Sequence, residues 1–244
     1  MIRMIRSEWL KVRGTVVWLL AVVSPIAAGL VVLLNAQSTV QTGAPWLTAL
    51  QLMAALHALL FLPMLTGIFA GLVCRYEHAG GGWKQLLALP VSRSQVYLVK
   101  FLFVMLLIAV TQLLFLAALL LIGTSLGFAG EVPWAELLRS AAGGWAACLP
   151  LAALQLAVST AWPNFAAPMA VNVIFTIPNL LIVNSAHYGP YYPWAQPLLA
   201  MMPHAGNYNY GAFAVPAATL LLVIGGSFVL FLASGWIYFV KKAV

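Results

Sequence analysis

The sequence predicts an all-α polytopic membrane protein, and three observations carry that reading: its hydrophobicity, the length of its apolar runs and the placement of its few charges. Of 244 residues, 64% are hydrophobic and only 6% charged, whereas a soluble globular chain carries about 25% charged residues. Such a chain cannot present a water-compatible surface of ordinary size. At about 20 apolar residues per helical crossing, it has room for six spans with short connections and for no soluble catalytic or nucleotide-binding domain.

The elements follow in order. In residues 1–13, Ile2, Ile5, Trp9 and Val12 recur at helical spacing, with Arg3, Arg6, Lys11 and Arg13 largely off that stripe. This is the pattern of a short amphipathic helix lying in the membrane interface, an elbow before the first span. The apolar run 15–34 is longer than the about 7 to 15 residues of a signal-peptide core, so it reads as a retained span. A second span is expected over 47–74, a third over 96–123 and a fourth over 141–161. The turn Trp162-Pro163-Asn164 separates the fourth from a fifth over 165–183. An aromatic, Pro-rich connection, 184–210, leads to a sixth over 213–240, which closes on Lys241 and Lys242.

Six spans put both termini on one side, and the basic residues choose which. Arg3, Arg6, Lys11 and Arg13, then Arg75, Lys84, Arg93 and Lys100, then Lys241 and Lys242 account for ten of the eleven; Arg139 alone falls on the other side. Basic residues accumulate in cytoplasmic connections, so the termini and the second loop are expected to be cytoplasmic. The acids are Glu8, Glu77, Glu131 and Glu136, there is no Asp, and the net charge is +7. That excess reads as topology rather than as a nucleic-acid surface, because no polar domain interleaves bases with stacking aromatics. Cys74 and Cys148 sit in apolar runs and read as small buried hydrophobes.

The second loop carries the densest polar sequence. Gly80 to Gly82 break the second span from a segment in which Trp83, Leu86 and Leu87 share one helical face. Pro90 ends that segment, and Ser92 with Gln95 forms a possible capping box for the third span. The result is an amphipathic helix over 82–90, longer than a chain reversal needs. Its apolar face either lies on the bilayer or enters a groove on a soluble subunit, with Glu77, Lys84 and Arg93 as polar rim contacts.

The segment SEWLKVRGT before the first span, the loop YEHAGGGWKQLLALPVSRSQ, six spans and a long outer connection before the last together resemble permease subunits of type-2 ABC exporters. Among these the chain is most similar in tone to bacterial lantibiotic and bacitracin self-immunity permeases. The resemblance implies that Trp9, Lys11 and Arg13 belong to the elbow helix. It also implies that Glu77, Gly82, Trp83, Lys84, Leu86, Leu87 and Pro90 form a coupling helix that docks on an ABC ATP-binding subunit. A second permease, the same or related, would complete a dimer in the bacterial cytoplasmic membrane. The substrate would be amphipathic or lipid-associated, such as an antimicrobial peptide. Residues 184–210 would form short re-entrant helices near the exit. The chain has no G-x-x-x-x-G-K-[ST] loop, so ATP and magnesium are expected on the partner and no cofactor on this chain.

Polar residues at bilayer depth are functional candidates. His57 reads either as a hydrogen-bonded packing residue or as part of a substrate path. Asn172, Thr176 and Asn179 share one face of the fifth span, and Gln155 and Ser159 do so in the fourth. These amides bond between helices, meet a dimer partner or line a substrate path. Gly67 and Gly71 form a G-x-x-x-G that permits close helix approach. Lys100 lies close enough to the inner surface to snorkel. Outside, Tyr188, Tyr191, Tyr192, Trp194, Tyr208 and Tyr210 read as an interfacial belt. His187 and His204 lack metal-ligand spacing, so no metal is expected, and Glu131, Glu136 and Arg139 read as a short outer helix. The alternative to an ATP-driven permease is a stand-alone secondary transporter or channel. A lone intramembrane histidine without a carboxylate is a poor proton relay, and no H-E-x-x-H or intramembrane carboxylate supports a membrane enzyme.

Overall fold

A computed structural model describes residues 2–88, 90–203 and 211–242. The structure is all-α. A short helix, α1 (Ile2–Val12), precedes α2 (Val17–Leu34), and a small turn of helix, α3 (Ala36–Val40), leads to a long second segment made of α4 (Pro45–Leu56), a π-turn (His57–Phe61) and α5 (Leu62–His78). The short α6 (Gly82–Ala88) is followed by α7 (Arg93–Ser125) and α8 (Trp134–Ala161). After these come α9 (Ala166–Thr176), α10 (Asn179–Ile182), α11 (Gln196–Met201) and α12 (Ala217–Lys241).

Among the described residues, five helices are long and apolar enough to cross a membrane: Val17–Leu34, Pro45–His78, Arg93–Ser125, Trp134–Ala161 and Ala217–Lys241. The sixth expected crossing, 165–183, is the one that differs. It is a broken pair of 11 and 4 residues, α9 and α10. Pro178, which caps α10, has no N–H for the carbonyl four residues earlier and interrupts the ladder. The end of α9 is repaired from outside, because the Tyr192 hydroxyl donates to the Phe175 carbonyl at 2.5 Å.

Other boundaries move outward for simple reasons. Ser92 accepts from the Gln95 amide and starts α7 at Arg93, three residues before the expected edge. Helix α8 begins at Trp134, so Glu136 and Arg139 lie in its first two turns rather than on a separate outer helix; they pair at 2.6 Å. The last crossing starts at Ala217, after a 3₁₀ turn over Gly211–Ala214.

One end of the bundle gathers the basic segments. The Arg93 guanidinium donates to the carbonyls of Val240 and Lys242 at 3.0 and 2.5 Å, and Lys242 Nζ donates to the Thr160 carbonyl at 2.8 Å. Both are cations on helix C-termini, where orphan carbonyls and the helix dipole favour them. The end of α12, the end of α8, the connection between α5 and α7, and α1 therefore meet at one basic end. Glu136 and Arg139 lie at the opposite end, a 28-residue helix away.

The outward surface is apolar, with Leu19, Ile26, Leu113, Leu121, Leu222 and Leu230 all exposed. Of these crossings α12 is the least buried and Pro45–His78 the most.

Candidate functional site

Two polar arrangements are built into this apolar frame. The first lies at the basic end. Glu8 of α1 and Glu77 near the end of α5 are buried, and so is Lys100, two turns into α7. Lys11 Nζ sits 2.7 Å from Glu8 Oε1 and 2.5 Å from Glu77 Oε1. Lys100 Nζ sits 2.9 Å from Glu77 Oε2 and 3.4 Å from Glu8 Oε2, and it also donates to the Val73 carbonyl at 2.7 Å. Two acids and two bases thus form a neutral cluster that ties α1 to α5 and α7. Burial pulls the Lys11 ammonium down, but its hydrogen bonds to Glu77 and Glu8 outweigh that and hold it above its ordinary 10.5.

Two expectations change here. Lys100 does not snorkel; it is 1% exposed and turned inward, because two carboxylates and a carbonyl satisfy it where it stands. Glu77 offers no rim contact, because both of its oxygens face the lysines. Its neighbours in sequence give Glu8 no partner on another helix. The signal for it was a lone acid among four bases, in a chain with only four acids in all.

The elbow residues take three different places. Trp9 is partly exposed and meets Trp18 edge-on at 5.3 Å, Lys11 enters the cluster and Arg13 is exposed. The Trp18 indole donates to the Val12 carbonyl at 3.1 Å, which fixes the bend between α1 and α2.

Helix α6 adjoins this cluster. The expected 82–90 segment is helical over Gly82–Ala88; Leu89 lies outside the described residues and Pro90 follows the helix. A left-handed Gly81, at φ +76°, turns the chain into it. Trp83 points inward rather than outward. Its ring packs edge-on against Phe239 at 5.2 Å, Lys100 Nζ stands 5.5 Å from its centroid, and its indole donates to His78 Nδ1 at 3.2 Å. His78 Nε2 in turn donates to the Ser159 carbonyl at 2.7 Å. Leu86 and Leu87 are half-buried against the core. An indole flanked by a cation and an aromatic ring gains more inside than at a wet surface. The outward face of α6 is consequently Lys84, Gln85 and Ala88. A cavity of about 250 Å³ lies beside it, lined by His78, Trp83, Lys84, Thr160, Phe239 and Lys242.

The second arrangement lies deep in the bundle, where both broken segments meet. Pro63 gives no N–H to the Leu59 carbonyl, and the helix relaxes into the π-turn His57–Phe61. Asn179 Nδ2 donates to that carbonyl at 2.9 Å and to the Trp194 carbonyl at 2.8 Å. Asn172 Nδ2 donates to the carbonyls of Pro63 and Met64 at 3.0 and 3.2 Å. Asn172 Oδ1 accepts from Gln155 Nε2 and Trp194 Nε1, both at 3.0 Å. Thr176 bonds back to the Asn172 carbonyl. The polar stripe of the fifth segment therefore bonds within the chain, to α5, α8 and the outer connection, with Asn179 Oδ1 left buried and without a partner among the described residues. Gly67 and Gly71 let α9 approach α5: a side chain at Gly67 would strike Asn172, and one at Gly71 the ring of Phe165.

His57 is fully buried, with Nδ1 2.5 Å from the Ser24 hydroxyl and its ring stacked on Phe115 at 4.5 Å. Trp194, expected in the interfacial belt, is buried and stacked on Phe175 at 5.0 Å. Tyr188 and Tyr191 are exposed as a belt would require. His204, Tyr208 and Tyr210 lie outside the described residues. Helix α11 is buried, and the Ser140 hydroxyl donates to the Met201 carbonyl at 2.6 Å to hold it against α8.

Among the described residues no group of three or more His, Cys, Asp or Glu side chains could hold a metal ion. Neither arrangement presents a nucleophile, base and oxyanion donors around an open space; both hold helices together at positions where helices end or break. The sequence matches the ABC-2 family transporter protein family over residues 4–179. The chain belongs to the ABC-2 transporter family. No curated protein matches it. As an ABC-2 permease it is a multi-pass, non-catalytic transport component, and membership implies a complex with an ATP-hydrolysing subunit in a lipid bilayer.

Proposed function

We propose that the chain is the membrane half of an ATP-driven exporter and that α6 is the helix on which the ATP-binding subunit docks. Its basic end faces the cytoplasm of a bacterial inner membrane, following the ten-to-one distribution of basic residues. A second permease completes the dimer. The substrate is amphipathic or lipid-associated, such as an antimicrobial peptide from which the producing cell must protect itself.

The observation that carries the reading is the position of Trp83. A seven-residue helix between two crossings exposes Lys84, Gln85 and Ala88 and inserts one indole between α5, α7 and α12. Force applied to the outer face of α6 would reach His78, Lys100 and Phe239 through that ring, and α8 through the His78 bond to Ser159. The Lys100 cluster then links the same motion to α1.

Co-purification with a co-expressed ATP-binding subunit tests it. Lys84→Asp combined with Ala88→Asp is expected to abolish the complex while leaving the thermal unfolding of the chain unchanged. An intact complex would sink the docking assignment. Substrate flux through the purified chain in vesicles without any ATPase would instead favour a stand-alone secondary transporter or channel.

A further inference from the structure

At the end opposite α6, a groove of about 440 Å³ opens between α8, α11 and the start of α12, within the roughly 300–1,000 Å³ of small-molecule sites. Small residues make it. Gly143 brings α8 against α11 so closely that a side chain there would strike the Ala200 carbonyl, and Ala146 and Ala217 leave the space between the helices unfilled. Leu199, Leu220 and Ile224 line its apolar length. Arg139 also lines the groove and is paired with Glu136 at 2.6 Å. Both side chains are about a third exposed, and Arg139 Nε is buried and donates to no acceptor among the described residues. Arg139 is also the single basic residue assigned to this end.

An apolar slot with a charge pair at its mouth, at the level where a crossing helix begins, matches a lipid that has one charge of each sign in its head. We propose that the groove binds one acyl chain of a zwitterionic phospholipid, with the phosphate on Arg139 and the ammonium on Glu136. A guanidinium reads phosphate well through its fixed fork of donors, and the carboxylate beside it disfavours a purely anionic head. The site is distinct from the helix-break network and from α6, and it stands whether or not α6 docks an ATPase.

Photolabelling of the full chain in liposomes tests it. The probes are phosphatidylethanolamine, phosphatidylglycerol and diacylglycerol with the same photoactivatable acyl chain. Ethanolamine-lipid label is expected to concentrate on residues 199–203 and 215–224, and Ala146→Phe, which fills the groove, should remove it. Arg139→Gln, at a partly exposed position, should lower it roughly two- to fivefold, the effect of one exposed charge contact. Glu136→Gln should lower the ethanolamine-lipid label and leave that of phosphatidylglycerol unchanged or higher. Equal labelling by the three probes, label spread evenly along α12 to Val229 and Leu230, or indifference to both Ala146→Phe and Arg139→Gln would overturn the proposal.

Discussion

The side-chain amide of Asn179 donates to the Leu59 carbonyl, the acceptor that Pro63 deprives of its helical donor. The break in one segment is thus repaired by a residue at the break of another. Asn179→Leu should destabilise the chain by about 1–3 kcal/mol, the cost of leaving a buried carbonyl unsatisfied. With Pro63→Ala in the background, the helix supplies its own N–H and the penalty of Asn179→Leu should shrink. Thermal unfolding of the four proteins in detergent closes this double-mutant cycle. Additive effects would show that the two breaks are independent.

Lys100 balances two buried carboxylates that α1 and α5 bring together. Lys100→Met leaves Glu8 and Glu77 with Lys11 alone, and removing one member of a buried ion cluster costs about 3–5 kcal/mol. Adding Glu77→Met restores neutrality and should recover most of that loss. Unfolding midpoints measure both, and proteolysis near Arg13 reports whether α1 has come away. A Lys100→Met chain as stable as the parent would mean that the cluster is not held together by charge.

The pH dependence follows from Lys11, whose ammonium is held above its ordinary 10.5 in the folded chain. A raised cationic pKa contributes stability that is fully present below the unfolded value and is lost as pH rises through the folded one. The stability gap between the parent and Lys11→Met should therefore be flat from about pH 7 to 9 and close only above about pH 10.5. A gap that already closes between pH 7 and 9 would contradict the assignment.

Gly67 faces Asn172 with no room for a side chain. Gly67→Ala must push α9 away from α5 and should cost about 1–3 kcal/mol, as overpacking does. Gly67→Ala with Asn172→Ala should not regain the parent stability, because Gln155, Trp194 and two carbonyls lose their partner. Accessibility of a cysteine placed at Phe165 would report the displacement directly.

How legible these features were depended on how local their causes are. The long helices follow from runs of apolar residues, and the start of α7 from Ser92 and Gln95, three apart in sequence. The fifth segment was readable as apolar, but its division at Pro178 was hidden because proline also occurs within continuous crossings here, as at Pro25 and Pro150. The amphipathic pattern of α6 was visible, yet its inward side could not be chosen from the pattern. An indole suits a subunit groove as well as a niche beside Lys100 and Phe239, and those partners lie 17 and 156 positions away. Pairing Glu8 with Lys100 spans 92 residues, and nothing in either neighbourhood names the other.

The caps that Arg93 and Lys242 place on α8 and α12 have a mechanical consequence. They fasten the basic end of α12, where Gly235 also lets Tyr97 and Ala157 come close, while its outer face stays exposed, as at Leu222, Val229 and Leu230. Twenty-five residues give a rod of roughly 37 Å at about 1.5 Å per residue. The same helix is thus tied by hydrogen-bonded cations at its basic end, while its other end forms one wall of the groove beside Arg139.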